Sequence, residues 1–88
     1  MNVVELLDAA KTKTGSLSEV AKRLGKNSGR ISEWRSGKTK PDSSEVAYLA
    51  DMAGLPILET VAEVEREIRP QYADIWLKAA SLAGVTKS

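Results

Sequence analysis

The sequence predicts an all-α fold, and three observations carry that prediction. Apolar residues recur at helical spacing in every segment, no run of four or more residues alternates as a half-buried strand does, and capping residues and glycines punctuate the segments. Eighty-eight residues hold one small domain and leave no room for a second core of ordinary size.

The elements follow in order. Asn2 caps a first helix with Glu5 three residues on; Val3, Leu6, Leu7 and Ala10 form its apolar stripe and Gly15 ends it. Ser16 and Glu19 make a capping box for a second helix over 17–24, with Leu17, Val20, Ala21 and Leu24 on one face and Gly25 as terminator. Asn27 opens a third helix over 28–36, whose apolar residues are Ile31 and Trp34 and whose stop is Gly37. Asp42 and Glu45 repeat the capping box ahead of Val46, Leu49, Ala50 and Ala53, with Gly54 at the end. Ile57, Val61, Val64 and Ile68 mark a fifth helix that Pro70 stops. Pro70 also opens a sixth, with Tyr72, Ile75, Trp76, Ala79, Leu82 and Ala83 on one face and Gly84 as its stop. Five to six helices therefore divide into a core at 1–55 and a helical extension at 56–88. The extension either completes the core or forms a dimer interface, and apolar residues on more than one side of the fifth helix (Leu55, Leu58, Val61, Val64) favour the dimer.

Composition removes whole classes of function. With no cysteine and no histidine, the chain has no disulfide, no thiolate or imidazole metal site, and no Ser/His or Cys/His catalytic pair. No apolar run approaches the ~20 residues that span a bilayer, and no leader pattern follows Met1, so a cytoplasmic protein is expected. Net charge is only +1, but it is unevenly placed: residues 11–40 hold nine cations against Glu19 and Glu33, a net +7, while residues 41–88 hold four cations against eight acids, a net −4. A basic segment in a nearly neutral chain suits a polyanion meeting one face, and equally a solvated surface.

The second and third helices, joined by "GKN", meet the requirements of a helix-turn-helix. Ala21 is small where the helices cross, Gly25 supplies positive φ at the turn, and Ile31 and Trp34 can pack back onto Val20, Ala21 and Leu24. The stretch "LSEVAKRLGKNSGRISEWRSGKTKP" resembles the lambda-repressor/Cro-like (XRE-type) helix-turn-helix family, over residues 1 to about 55. "VEREIRPQYADIW" is further similar to small regulators encoded by filamentous phages. The resemblance implies duplex DNA as partner and homodimers on a pseudo-palindromic operator, with transcriptional control, usually repression, as the outcome in a bacterial or phage-infected cytoplasm. It implies no cofactor, metal or small-molecule ligand.

On that reading the third helix enters the major groove. Opposite Ile31 and Trp34 it presents Gly29, Ser32, Glu33 and Ser36, flanked by Ser28 and Arg30. Arg30 can reach guanine, Glu33 can accept from cytosine N4, and the serines discriminate little. Asn27 either contacts adenine or caps the helix, with capping favoured. Gly29 reads no base; it permits close backbone approach or marks a frayed first turn. Ser16 and Ser18 at the start of the second helix, Lys26 in the turn, and Ser36, Lys38, Thr39 and Lys40 after the third helix are the candidate phosphate ligands. Lys22 and Arg23 read as solvated charges, Arg35 as a partner for Glu5 or Asp8, and both tryptophans as core.

Two rivals remain. "SEWRSGKT" is one glycine short of a phosphate-binding loop, lacks a preceding strand and runs into Pro41, and the Glu63/Glu67 pair lacks an apolar pocket, so no enzyme is expected. The other rival is a helical protein-interaction module (an antitoxin, anti-repressor or adaptor) that binds through the acidic half and holds DNA weakly.

Overall fold

A computed structural model describes residues 1–82. It contains α1 (Val3–Thr14), α2 (Leu17–Leu24), α3 (Ser28–Ser36), α4 (Ser43–Met52), α5 (Ile57–Ile68), a 3-10 turn (Pro70–Tyr72) and α6 (Ala73–Leu82), with no strand among the described residues. Ala83 and the expected stop at Gly84 lie outside the described residues.

The helix ends form where short polar side chains and glycines stand. Asn2 with Glu5, and Asp42 with Glu45, make reciprocal capping boxes, each side chain accepting from the other residue's amide at 2.8–3.0 Å. The box expected at α2 is only half made. Ser16 Oγ accepts from Glu19 N at 3.1 Å, but the Glu19 carboxylate turns to Arg23 at 2.9 Å, because an i, i+4 guanidinium competes with the cap amide. The Arg23 hydrogen bond leads in holding the Glu19 carboxyl below its ordinary value; desolvation opposes it, and the charges of Arg23 and Lys22 add. Gly25 (φ 69°) and Gly37 (φ 83°) end α2 and α3 in the left-handed region, which places Lys26 N on Ala21 O and Lys38 N on Glu33 O, both at 2.9 Å.

One core joins five helices. Val3, Leu6, Leu7 and Ala10 of α1, Val20 and Ala21 of α2, Ile31 and Trp34 of α3, Val46, Leu49 and Ala50 of α4, and Val61 and Val64 of α5 are all buried in it. Leu17 and Leu24 pack against its edge. The expected stripes of α1 to α4 therefore face inward. α5 departs from its expected stripe: Ile57 at its start is 45% exposed, while Thr60, Ala62 and Glu65 are buried beside Val61 and Val64. The reason is position, since α5 packs against both α4 and α6 and so covers two sides of itself.

The sixth helix also differs. The chain makes a 3-10 turn at Pro70–Tyr72, closed by Tyr72 N to Arg69 O at 2.9 Å, and the α-helix begins only at Ala73. α6 rests on α5 and meets the core through Trp76, leaving Tyr72 56%, Ile75 59% and Leu77 49% exposed. The half-exposed Glu63/Glu67 pair holds the Met1 ammonium at 3.0 and 3.5 Å and ties the start of α1 to α5. The Glu63 hydrogen bond leads in raising that amine above its ordinary value; desolvation opposes it, and the two carboxylate charges add.

Candidate nucleic-acid interface

α3 has a buried side and a solvent side. Ile31 and Trp34 are each 2% exposed, whereas Ser28, Gly29, Arg30, Ser32 and Ser36 are open and Glu33 is half-buried. Two apolar side chains at i, i+3 suffice to seat the helix on α1 and α2, so the rest of its circumference is free for polar residues.

Asn27 is a cap. Its Oδ1 accepts from Arg30 N at 2.8 Å, which commits the side chain to the helix start. Asn27→Ala is expected to cost ~1 kcal/mol, and Asn27→Ser to restore most of it, as read by urea unfolding; equal midpoints for all three chains would remove the capping role. A Cβ at Gly29 would stand 3.2 Å from Asn27 Oδ1, a tight contact that a shift of a few tenths of an ångström would relieve, and α1 carries Val4 at the equivalent position behind its own asparagine cap.

Arg30, Glu33 and Thr39 are brought together. Arg30 Nε lies 3.7 Å from Glu33 Oε1 and Thr39 Oγ1 donates to the same oxygen at 3.4 Å, so the carboxylate is bracketed by a cation and a hydroxyl. The Glu33 carbonyl receives Lys38 N, Thr39 N at 3.4 Å and Ser36 Oγ at 3.2 Å, and so organises the exit from α3. Lys38, Thr39 and Lys40 are exposed beyond it.

Other candidates stand elsewhere. Lys26 is drawn to Glu45 of α4 at 2.9 Å and serves as a tie between the turn and α4. Ser16 is engaged as the α2 cap, while Ser18 is exposed on the first turn of α2, where helical geometry leaves amides without intrahelical partners. Arg35 pairs with Asp8 at 2.8 Å, the structural role expected of it, and links α3 to α1.

The sequence reading missed one polar cluster altogether. Glu65, 1% exposed, accepts from Arg69 Nη1 at 2.6 Å and Ser43 Oγ at 3.2 Å, and Arg69 Nη2 donates to the Pro41 carbonyl at 2.7 Å. The i, i+4 spacing of Glu65 and Arg69 was a visible signal for the pair, but not for its reach across 28 residues to Pro41.

Among the described residues, no group of three or more histidine, cysteine, aspartate or glutamate side chains is placed to hold a metal ion, and no helix is long and apolar enough to cross a membrane. Compared with family models, curated proteins and solved structures, the chain matches none, so the geometry carries the functional reading.

Proposed function

We propose that the protein is a sequence-specific duplex-DNA-binding transcriptional regulator, a phage-type repressor that acts as a homodimer on a pseudo-palindromic operator. One observation carries the reading: a short helix seated by Ile31 and Trp34 holds an open polar face, and a loop with Lys38 and Lys40 exposed leaves its end. α3 lies in the major groove, α2 crosses the backbone with Ser18 at its start, and Lys38, Thr39 and Lys40 meet phosphates beside the groove. Lys26 contributes through its tie to Glu45 more than through a phosphate. Direct base reading rests on Arg30 and Glu33, so DNA shape and bridging water carry part of the specificity.

The test is binding to duplexes flanking the protein's own gene. Affinity should fall steeply with salt and the protected site should have dyad symmetry, with a solution mass of two chains per site. Salt-insensitive binding without a defined footprint would sink the reading. Within a located operator, Glu33→Ala is expected to change preference at one base-pair position, by about 1–3 kcal/mol, measured on a set of singly substituted sites. A uniform change across the set would instead make Glu33 a support for Arg30 and the loop.

A specific observation favours the second reading, a protein-interaction module. Tyr48, Ile57, Leu58, Tyr72, Ile75 and Leu77 are all more than a third exposed, and Tyr48 and Ile57 border a shallow groove with Ala47 and Asp51. In the dimer reading such residues serve a second copy; as a module they serve another protein, and duplex binding is then weak and indifferent to sequence.

A further inference from the structure

The loop from Gly37 to Asp42 is held at both ends. At its entry, Lys38 N and Thr39 N bond to the Glu33 carbonyl. At its exit, Pro41 is fully buried and its carbonyl accepts from Arg69 Nη2 at 2.7 Å. Arg69 also bonds Glu65, which in turn holds Ser43 in the first turn of α4. Lys40 stands between these anchors, and the side chains of Lys38, Thr39 and Lys40 are all exposed.

A buried carboxylate is a costly way to join helices. An ion pair out of water gains little over apolar side chains of the same volume, so stability alone gives slight reason for Glu65 in this place. What apolar groups cannot do is hold a backbone carbonyl at a set distance and direction. From these contacts we infer that Arg69, oriented by Glu65, is a positioning residue for the DNA-backbone contacts of Lys38, Thr39 and Lys40. By ordering the loop before DNA arrives, it lowers the entropy lost when the lysines engage phosphates. Arg69 is also the residue at which α5 ends, directly ahead of the 3-10 turn and α6, so the same bond links the C-terminal helix to the DNA-contacting loop.

The inference rests on the DNA-binding reading, and the experiment separates the two. Three variants are compared with the parent chain: Arg69→Met; Arg69→Lys, which keeps the charge beside Glu65 but cannot span both Glu65 and Pro41; and Glu65→Leu/Arg69→Met, which replaces the pair with apolar volume and protects folding if the single change does not. Backbone order at Thr39 and Lys40 is read by amide relaxation without DNA, and operator affinity is read across a salt series on fully folded protein. The expected result is an order parameter at these two residues falling from roughly 0.85 toward 0.6. Affinity should fall roughly 10-fold at each salt concentration with the slope little changed, because the lysines still reach phosphates and only the ordering cost is added; Arg69→Lys should restore stability without restoring loop order or affinity. A folded variant with parental loop order and affinity overturns the assignment. If the parent itself binds no duplex, the regulator reading falls, and the relaxation data still report whether Arg69 orders the loop.

Discussion

Trp34→Ala is expected to remove a large share of the domain's stability. The indole is 2% exposed in the core that joins α1 to α5, and truncating a buried tryptophan costs about 3–5 kcal/mol. A domain of 88 residues has a total stability of only roughly 4–13 kcal/mol. At about 4–8 °C per kcal/mol for a chain of this size, the midpoint should drop by roughly 12–40 °C. Helix α3 is short and has only Ile31 as a second buried apolar anchor, so it cannot reseat itself around the cavity. Thermal unfolding followed by far-ultraviolet circular dichroism checks this. Trp76→Ala is the internal comparison: Trp76 sits at the core's edge, so its loss should cost clearly less. Equal midpoints for the two variants would mean that α3 is not held as the structure has it.

Lys38→Ala/Lys40→Ala carries the largest expected effect on binding. Each lysine that neutralises a phosphate contributes about 0.9 to the salt slope, which amounts to roughly 10-fold in affinity near 0.1 M salt. The double variant should therefore lose on the order of 100-fold, by a similar factor for operator and random duplex, with a slope shallower by nearly 2. Both side chains are exposed, and neither ammonium takes part in an ion pair among the described residues, so folding should be unaffected. Titration of fluorescent duplexes at several salt concentrations gives both quantities. Unchanged affinity would remove the loop from the interface and move the site to the Ser18 end of α2 or to another face.

The fold was legible wherever the determinant is local. Asn2, Ser16, Asn27 and Asp42 stand as caps, and the stripe in α1 is buried, because a cap or a turn of helix depends on residues three or four apart. A partner for Arg35 at Glu5 or Asp8 was also anticipated, because opposite charges flank the faces on which α1 and α3 meet; Asp8, 27 residues away, is the one engaged. Glu19 was misjudged at the same local scale, since two partners competed for one carboxylate and spacing does not rank them.

Farther from the chain's local geometry, less could be read. Lys26 had the charge and the turn position of a phosphate ligand, yet Glu45 lies within reach only because α2 and α4 pack together. Tyr72 and Ile75 had the spacing of a buried stripe, yet Tyr72 falls in the 3-10 turn and α6 packs mainly on α5, which leaves both side chains exposed.

By itself, then, the amino-acid sequence determined the all-α class, the ends of the first four helices, the side of each that turns inward, and the concentration of positive charge on residues 11–40. These follow from periodicity and capping, which act over one or two turns of chain. Tertiary structure alone decided which of those charges remain available. Packing joined Lys26 to Glu45 and left Lys38 and Lys40 open, and it buried Glu65 where Arg69 reaches the Pro41 carbonyl. Electrostatic and hydrogen-bond partners are chosen by distance in space, and that distance exists only after the helices have docked.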